Sequence, residues 1–267
     1  MSNKNKHGLS RHIPKATKQA VRQRCGFGCV RCGFAFFDYE HFDPDFAEAK
    51  EHNANGITLL CSQCNQKRAR GRLSAETVSR ANANPVCLQK GFTTEMFDFS
   101  PEEIEVELGG VVFKNCNHLV VINDIPILSI SRPESPGLPL LLNGFFLDQN
   151  GKLAIAIDDN AWRVSSNVWD VEIIGPRIYI KTAEESTVLE IHLCPPKKII
   201  IKNLRMVFQK VIIEANDEIV KFSMNDGKSW NTFHSVSVTN CYAGIAINSA
   251  PQLPQPPAND AIAIPPW

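Results

Sequence analysis

The sequence predicts an α+β protein in which a small N-terminal domain precedes a larger all-β domain. Before about residue 92 the chain has helix-forming segments and two pairs of closely spaced cysteines, whereas from about residue 100 it consists of short β-rich runs. The charge is also uneven, because residues 1–92 hold 15 Lys and Arg against 7 Asp and Glu, while residues 93–267 hold 13 against 21. A basic module beside an acidic remainder indicates that a polyanion-binding part is joined to one that does not bind polyanions.

Composition divides the chain further into four segments. The last of them contains six prolines and is predicted to be extended and polyproline-like. The predicted segments are a basic arm at 1–13, the small domain at 14–92, the all-β domain at 93–248 and the Pro-rich tail at 249–267.

Two helices are predicted in the small domain. The segment PKATKQAVRQRC starts a helix at Pro14 that ends where CGFGC brings glycines, and SAETVSRANA starts a second helix with Ser74 as its N-cap. Asn84-Pro85 ends that second helix, since the residue before a proline is biased away from helical angles. Between the helices, the aromatic residues 33–42 and the apolar run ITLLC predict short strands.

Short runs that alternate apolar and polar residues fill the second domain. Examples are HLVVIND, KLAIAID and RIYIKT, and turn signals such as Asp148–Gly151 and Asn225–Gly227 separate such runs. Strand candidates about every 8–12 residues indicate an all-β sandwich, barrel or solenoid. Because the residues show no strict repeat, we favour a sandwich-like arrangement, with a solenoid as the alternative.

Four of the nine cysteines stand as two CxxC pairs, Cys29/Cys32 and Cys61/Cys64. A CxxC turn supplies two thiolates from one stretch of backbone, and two such turns complete a tetrahedral zinc site. The sequence therefore predicts structural zinc that closes the loop between the pairs. Cys25 is predicted to be a core thiol. The same buried role is predicted for Cys87, Cys116, Cys194 and Cys241.

The residues inside and just after this loop resemble a nuclease motif. Glu40 and His41 are adjacent between the cysteine pairs, and Asn65 directly follows Cys64 in CSQCNQKRARGR. The pattern resembles the HNH nuclease family, specifically its zinc-containing members, over roughly residues 25–80. The resemblance implies a ββα-metal fold for the small domain, in which a hairpin and a following helix surround one divalent metal while zinc staples the ends.

The resemblance also implies roles for single residues. His41 would activate water, Glu40 would bind the catalytic metal, and Asn65 would complete that metal site. These residue types suit the chemistry, since histidine is a base near neutral pH and oxygen ligands suit Mg²⁺ or Mn²⁺. Phosphate contacts are expected from the basic run, that is, from Lys67, Arg68, Arg70 and Arg72.

The middle residue of the motif, which orients the histidine ring, is less clearly marked. The position that the family spacing indicates is Gly56, so we assign the role to Asn55, one residue earlier. Asn53 and His52 are the alternatives. Each site residue also has an ordinary structural interpretation. His41 would then be a surface or core histidine without a catalytic role, Asn65 would cap the helix that follows Cys64, and the basic run would be a solvent-exposed surface.

The function that this resemblance implies is a metal-dependent HNH endonuclease that hydrolyses double-stranded DNA. The β domain would then serve partner binding, oligomerisation or activation, as in restriction-like or anti-phage systems. Two other classes stay open: a non-catalytic zinc-containing protein that binds nucleic acid, and an adaptor that acts through its β domain. The residues do not distinguish DNA from RNA.

The chain is expected to be cytoplasmic and to have no membrane partner. No apolar run approaches the ~20 residues that a membrane span needs, and the polar N-terminus lacks the apolar centre of a signal peptide. A reducing compartment also agrees with cysteines that bind metal in place of forming disulfides.

Overall fold

The computed structural model of this chain describes residues 4–183 and 186–248. The predicted Pro-rich tail at 249–267 lies outside the described residues. Within the described ranges, no helix combines the length and the apolar character that crossing a bilayer requires.

The helices are short and lie in the first third of the chain. They are α1 (Lys15–Cys25), α2 (Ser62–Ala69), α3 (Ala75–Ala83) and α4 (Val86–Lys90), with a 3₁₀ turn at Ala54–Gly56. Both predicted helices are confirmed, as α1 and α3. The helix α1 ends at Gly26, whose φ of 72° lies in the left-handed region that glycine adopts without strain. Ser74 caps α3, since its side chain accepts a hydrogen bond from the backbone N–H of Thr77.

The strands fall into two sheets. They are β1 (Asp38–His41), β2 (Ile57–Leu60), β3 (Phe92–Met96), β4 (Glu105–Leu108), β5 (Val111–Ile122), β6 (Ile125–Ser131), β7 (Leu141–Leu147), β8 (Leu153–Asp158), β9 (Ala161–Ser165), β10 (Asp170–Ile174), β11 (Arg177–Ala183), β12 (Ser186–Cys194), β13 (Lys198–Phe208), β14 (Val211–Ala215), β15 (Ile219–Ser223), β16 (Asn231–His234) and β17 (Val236–Ile247). β1 and β2 form a two-stranded antiparallel sheet, and the other strands form one 15-stranded sheet.

The large sheet has the main path β10-β11-β12-β13-β4-β5-β6-β7-β8-β9-β3. From β13 a branch continues through β14 and β15 to β16, and β17 joins β5. Two pairs are parallel, β4 with β13 and β5 with β17, and the other pairs are antiparallel. Many strands show an alternating burial pattern, so one face of each of these strands is buried. The sheet curls, and the buried faces form one apolar core that includes Phe113, Trp162 and Ile191.

The predicted α+β class is wrong. The structure is mostly β, with 48% of the described residues in strands and 15% in helices, and it is not a small ββα domain followed by a separate β domain. The predicted sandwich is wrong as well, because a single curled sheet holds 15 strands. The physical reason is that the N-terminal segment completes the sheet: β3 is its end strand, and Phe27 and Ala35 belong to the large core.

A buried ion pair fixes α1 to the large sheet. Arg22 on α1 donates from Nε and Nη2 to the two carboxylate oxygens of Asp170 on β10, at 2.8 and 2.6 Å. Arg22 also donates from Nη1 to the Tyr39 hydroxyl at 2.8 Å. Burial opposes the guanidinium charge and is the largest single effect, but the hydrogen bonds and charges of Asp170 and Tyr39 together outweigh it, so the pKa of Arg22 lies above its usual value. The hairpin strand β1, which carries Tyr39, is thereby tied to the sheet.

Candidate active site and metal centre

The four predicted zinc ligands meet in space. The Sγ atoms of Cys29, Cys32, Cys61 and Cys64 all lie within 4.8 Å of one another. Ideal tetrahedral zinc with Zn–S bonds of ~2.3 Å separates its sulfurs by about 3.8 Å. The Sγ atoms of Cys32 and Cys61 lie 3.7 Å apart, which agrees with that value. The cluster therefore fits a metal ion, and four thiolate donors with no open position are consistent with structural zinc.

Backbone hydrogen bonds shape both cysteine turns. Gly33 donates its backbone N–H to Cys29 at 2.8 Å, and Asn65 donates to Cys61 at 2.8 Å. In the second turn Cys61 is the N-cap of α2, because its Sγ accepts from the backbone N–H of Cys64 at 3.4 Å. The hydrogen bond from Cys32 lowers the pKa of Cys29, which favours the thiolate form that a metal ligand needs.

The β1–β2 hairpin separates the cysteine cluster from His41. In its register Asp38 pairs with Leu60, next to Cys61, whereas His41 pairs with Ile57 at the other end. Three residues along a strand span about 10 Å. The metal centre and His41 therefore lie at opposite ends of the hairpin, so the cysteines can hold the hairpin without reaching the histidine.

The helix α2 returns from the cysteine cluster toward His41. It starts directly after Cys61, packs against both hairpin strands, and reaches the loop after β1 through Arg68. There Arg68 Nη2 lies 2.6 Å from Asp45 Oδ1. Asn65 precedes Arg68 by three residues, so both lie on the same face of α2. The structure thus brings Asn65 to the side of the helix that contacts the loop after His41.

His41 is buried and contacts two loop side chains. The residue is 7% exposed, and its Nε2 lies 3.1 Å from Nδ1 of His52. Its ring contacts the Phe46 ring edge to face, with 5.3 Å between the ring centroids. One imidazole donates to the other, with the direction set by their tautomers. Burial, and then the nearby charge of His52, lower the pKa of His41.

The three alternatives for the middle residue have different surroundings. His52 is the one that contacts the His41 ring. Asn53 caps the 3₁₀ turn, since its Oδ1 accepts from the backbone N–H of Asn55 at 2.9 Å. Asn55, our sequence assignment, has an exposed side chain. The structure therefore brings His52 to His41 and places Asn55 outside that contact.

Gly56, which interrupts the motif spacing, has a structural role that the sequence did not reveal. A Cβ atom at this position would lie 2.2 Å from the backbone oxygen of Asp43. The carbonyl of Gly56 also accepts from the backbone N–H of Phe42 at 3.0 Å. The chain that leaves β1 therefore crosses directly over Gly56, and only glycine leaves enough space.

Glu40 is half-buried beside charges of both signs. Burial raises its pKa, the positive charge of Arg68 opposes that effect, and Asp45 and Asp38 add to it. In a strand, adjacent side chains point to opposite faces, so Glu40 and His41 do not share one face of β1. Glu40 instead lies on the side influenced by Arg68 of α2.

The basic residues divide into two groups. Lys67, Arg70 and Arg72 are exposed, and within the described residues they form no ion pair. Arg68 is half-buried and engaged with Asp45. The sequence reasoning missed Arg11 of the basic arm, which lies over the Phe46 ring at 4.8 Å. Only the general positive charge of the arm pointed to this residue.

The alternative role of Asn65 as an N-cap is not observed, because Cys61 occupies that position.

Comparisons of this chain with protein-family models, with curated proteins and with solved structures find no match. The four-cysteine cluster is therefore a finding of geometry, whereas the HNH resemblance stays a prediction that rests on a few residues.

Proposed function

We propose that this chain is a metal-dependent endonuclease of the HNH type that hydrolyses phosphodiester bonds of DNA. The observation that carries the proposal is the path of α2. The helix starts at the cysteine cluster and packs on the hairpin, and its Arg68 pairs with Asp45 in the loop that follows Glu40 and His41. Asn65 lies three residues before Arg68, on the same face of the helix. A zinc staple alone would need none of these polar residues.

In this proposal each residue of the site has one task. His41 accepts the proton of the attacking water, because a buried neutral imidazole is a suitable base near pH 7. Glu40 and Asn65 supply oxygen ligands for Mg²⁺ or Mn²⁺, hard cations that prefer such donors. When bound, the divalent cation would stabilise negative charge on the phosphate oxygens. The zinc at the cysteines would have a structural task only.

Substrate binding would rest on the basic surface around this site. Lys67, Arg70 and Arg72 extend from the end of α2 and the turn after it, and Arg11 reaches the loop from the arm. Exposed cations of this kind contact phosphates without reading sequence, and their contribution falls as salt rises. The strands after residue 93 would serve partner binding, oligomerisation or activation.

The test is cleavage of supercoiled plasmid by zinc-loaded protein with added Mg²⁺ or Mn²⁺. We expect nicking that needs the added cation and falls at least about 100-fold in His41→Ala, since a general base contributes roughly 10²–10⁴-fold. His192→Ala is the matched control, because His192 is half-buried on β12, far along the chain from the site. A chelator is added in a parallel reaction to remove the Mg²⁺ or Mn²⁺. The zinc content of the protein is measured afterwards, so that loss of the added cation is distinguished from loss of zinc.

Two results contradict the proposal. One is nicking by His41→Ala at the wild-type rate, which would point to a contaminating nuclease. The other is intact plasmid and intact RNA with every cation tested, while the protein stays folded and zinc-loaded.

A second candidate is a zinc-containing protein that binds nucleic acid without cleaving it. The specific observation in its favour is that Nε2 of His41 already has a partner in His52. This candidate predicts that His41→Ala leaves DNA affinity unchanged, whereas the double variant Arg70→Ala, Arg72→Ala weakens it and reduces its salt dependence. Fluorescence anisotropy at several salt concentrations measures both.

A further inference from the structure

Two cysteines outside the zinc cluster lie against each other in the large sheet. Cys116 on β5 and Cys241 on β17 are partners in the parallel register of these strands, and their Sγ atoms are 3.0 Å apart. The sequence predicts both as separate buried residues, since 124 positions lie between them. The parallel pairing of β5 with the C-terminal strand brings them together.

We propose that Cys116 and Cys241 form a reversible disulfide that locks β17 to the sheet. Neighbouring strands lie about 4.8 Å apart, which falls inside the Cα separation of roughly 4.4–6.8 Å that disulfides use. The sulfurs need to approach by about 1 Å to reach the disulfide length of ~2.05 Å. The strand geometry therefore allows the bond without moving the backbone.

The residues before the cysteines fix this register. Asn115 and Asn240 both have positive φ values, 51° and 54°, and Asn115 Nδ2 donates to Asn240 Oδ1 at 2.6 Å. Because Asn115 and Asn240 adopt the same left-handed conformation at matching positions, β5 and β17 keep the same register at this point. A slip of β17 by one residue would break this contact and separate the thiols.

Metal binding is not the better explanation of this pair. Among the residues that the structure describes, Cys29, Cys32, Cys61 and Cys64 are the one group of three or more such donors placed to hold a metal. Two thiols without a third ligand do not fill a tetrahedral site. A disulfide needs no further donor.

Cys241 is the thiol of the pair that a small reagent can reach. Cys241 is half-buried, and Cys116 lies in the wall of an open cavity of about 610 Å³ that Asn115, Asn117 and Lys114 also line. Burial, and then the contact with Cys116, raise the pKa of Cys241 to about 11. Cys241 is therefore largely protonated near neutral pH, which slows its reaction because the thiolate is the attacking form.

The oxidant in this proposal is a low-molecular-weight disulfide. The thiolate of Cys241 attacks one of its sulfurs, forms a mixed disulfide and releases one small thiol. Cys116 then attacks the Cys241 sulfur, the protein disulfide forms, and the second small thiol leaves. Two protein thiols are oxidised and one small disulfide is reduced, with the two thiol protons carried by the released thiols.

The lock would act on a strand that is attached to the sheet along one side only. Within the described residues β17 pairs with β5 alone, and many of its side chains are exposed, Tyr242 by 75%. Closing the long loop between the two cysteines restricts the unfolded chain. We expect the oxidised protein to melt on the order of 5–10 °C higher than the reduced protein.

The test uses the full chain, loaded with zinc so that the four ligand cysteines are protected. The protein is equilibrated with oxidised and reduced glutathione, free thiols are alkylated, and a non-reducing digest is analysed by mass spectrometry. We expect one dominant cross-linked pair of peptides that contain Cys116 and Cys241, together with the higher melting temperature.

Three variants complete the design. Cys116→Ser and Cys241→Ser should lose both the cross-link and the increase in melting temperature, while Cys194→Ser, a half-buried cysteine elsewhere in the sheet, should keep both. The proposal is overturned if Cys241 stops at the glutathione adduct, if other cysteine pairs dominate, or if the cross-linked protein melts no higher. The wild-type cross-link needs no variant, so a serine variant that does not fold leaves the test intact.

Discussion

At the residue scale, the loop between β1 and β2 supplies the side chains that contact His41, the proposed base. His41 contacts Phe46 and His52, and Arg11 lies over the Phe46 ring. An imidazole held on several sides keeps one orientation, as a base in a water-activation step must. The contact between the two histidines therefore fits a positioning task for His52.

His52→Ala is expected to lower the rate of metal-dependent DNA cleavage roughly 10- to 100-fold, because the His41 ring loses the contact that orients it. The effect should lie in kcat, with KM nearly unchanged, since His52 is not on the basic surface. Steady-state cleavage of a short labelled duplex measures both constants.

Asn55→Ala is the matched control for that variant, as its side chain is exposed and one turn away from the ring contact. Equal losses in the two variants would indicate a general disturbance of the loop. A loss confined to Asn55→Ala would restore our sequence assignment of the middle residue.

Gly56→Ala is expected to destabilise the protein by more than about 2 kcal/mol, because the added methyl overlaps the Asp43 carbonyl. Gly71→Ala is the comparison: Gly71 has φ +67° but open space around its Cα. Gly71→Ala should lower the free energy of unfolding by about 1 kcal/mol, from backbone strain alone. Urea unfolding of both variants measures the difference, and equal losses would show that close approach is not the constraint at Gly56.

At the scale of elements, one feature joins the hairpin to the sheet. Arg22 on α1 connects Tyr39 of β1 with Asp170 of β10, and all three groups lie in a buried or half-buried region. Glu40 directly follows Tyr39. The orientation of the hairpin, and with it the candidate site, therefore depends on a strand more than 100 residues away in sequence.

Arg22→Met is expected to lower the free energy of unfolding by about 3–5 kcal/mol, because it leaves the Asp170 carboxylate buried without its partner. The exposed pair Arg80–Glu76 on α3 supplies the control, with side chains 71% and 79% exposed. Arg80→Ala should cost less than about 0.5 kcal/mol. A small loss in Arg22→Met, measured by the same urea titration, would mean that the ion pair is dispensable for docking α1.

At the scale of the whole molecule, two apolar clusters support different parts of the chain. The larger one fills the curled sheet, and a smaller one around Val21, Ile57 and Leu59 contains three of the four cysteine ligands, Cys29, Cys61 and Cys64. Four of the 13 buried residues in the smaller cluster are cysteines, so the metal should contribute much of its stability.

Purified protein is expected to hold about one zinc per chain, and Cys32→Ser to hold little or none, since a structural site needs all four ligands. Metal content by mass spectrometry checks this. Hydrogen exchange should then show lost amide protection in β2 and α2 and retained protection in β5 and β13. Cys194→Ser is the control, because Cys194 lies outside the cluster; equal zinc in all three proteins would refute the assignment.

The local elements of the N-terminal segment were predictable because short-range chemistry determines them. Single residues set the helix boundaries: Ser74 marks the start of α3, Gly26 the end of α1, and the proline after Asn84 the end of α3. The CxxC spacing likewise predicted the four-cysteine cluster, since a two-residue turn places both thiols on one side. Each of these predictions needed information from within a few residues only.

The pairing of distant segments could not be read in this way. Alternation predicts that a run is a strand but not which strand it joins, so the single curled sheet, the end position of β3 and the parallel pairing of β17 were not foreseen. The contact of His52 with His41 and the passage of the chain over Gly56 depend on the same long-range packing.

The sequence by itself determined the metal ligands, the helix ends, the strand-rich character of the second part and the candidate Glu40, His41 and Asn65. The tertiary structure alone decided that the N-terminal segment docks on the sheet, that α2 returns to His41, and that Cys116 meets Cys241. The reason is physical: turns and caps are chosen by neighbouring residues, whereas burial and strand pairing are chosen by all segments that compete for the same core.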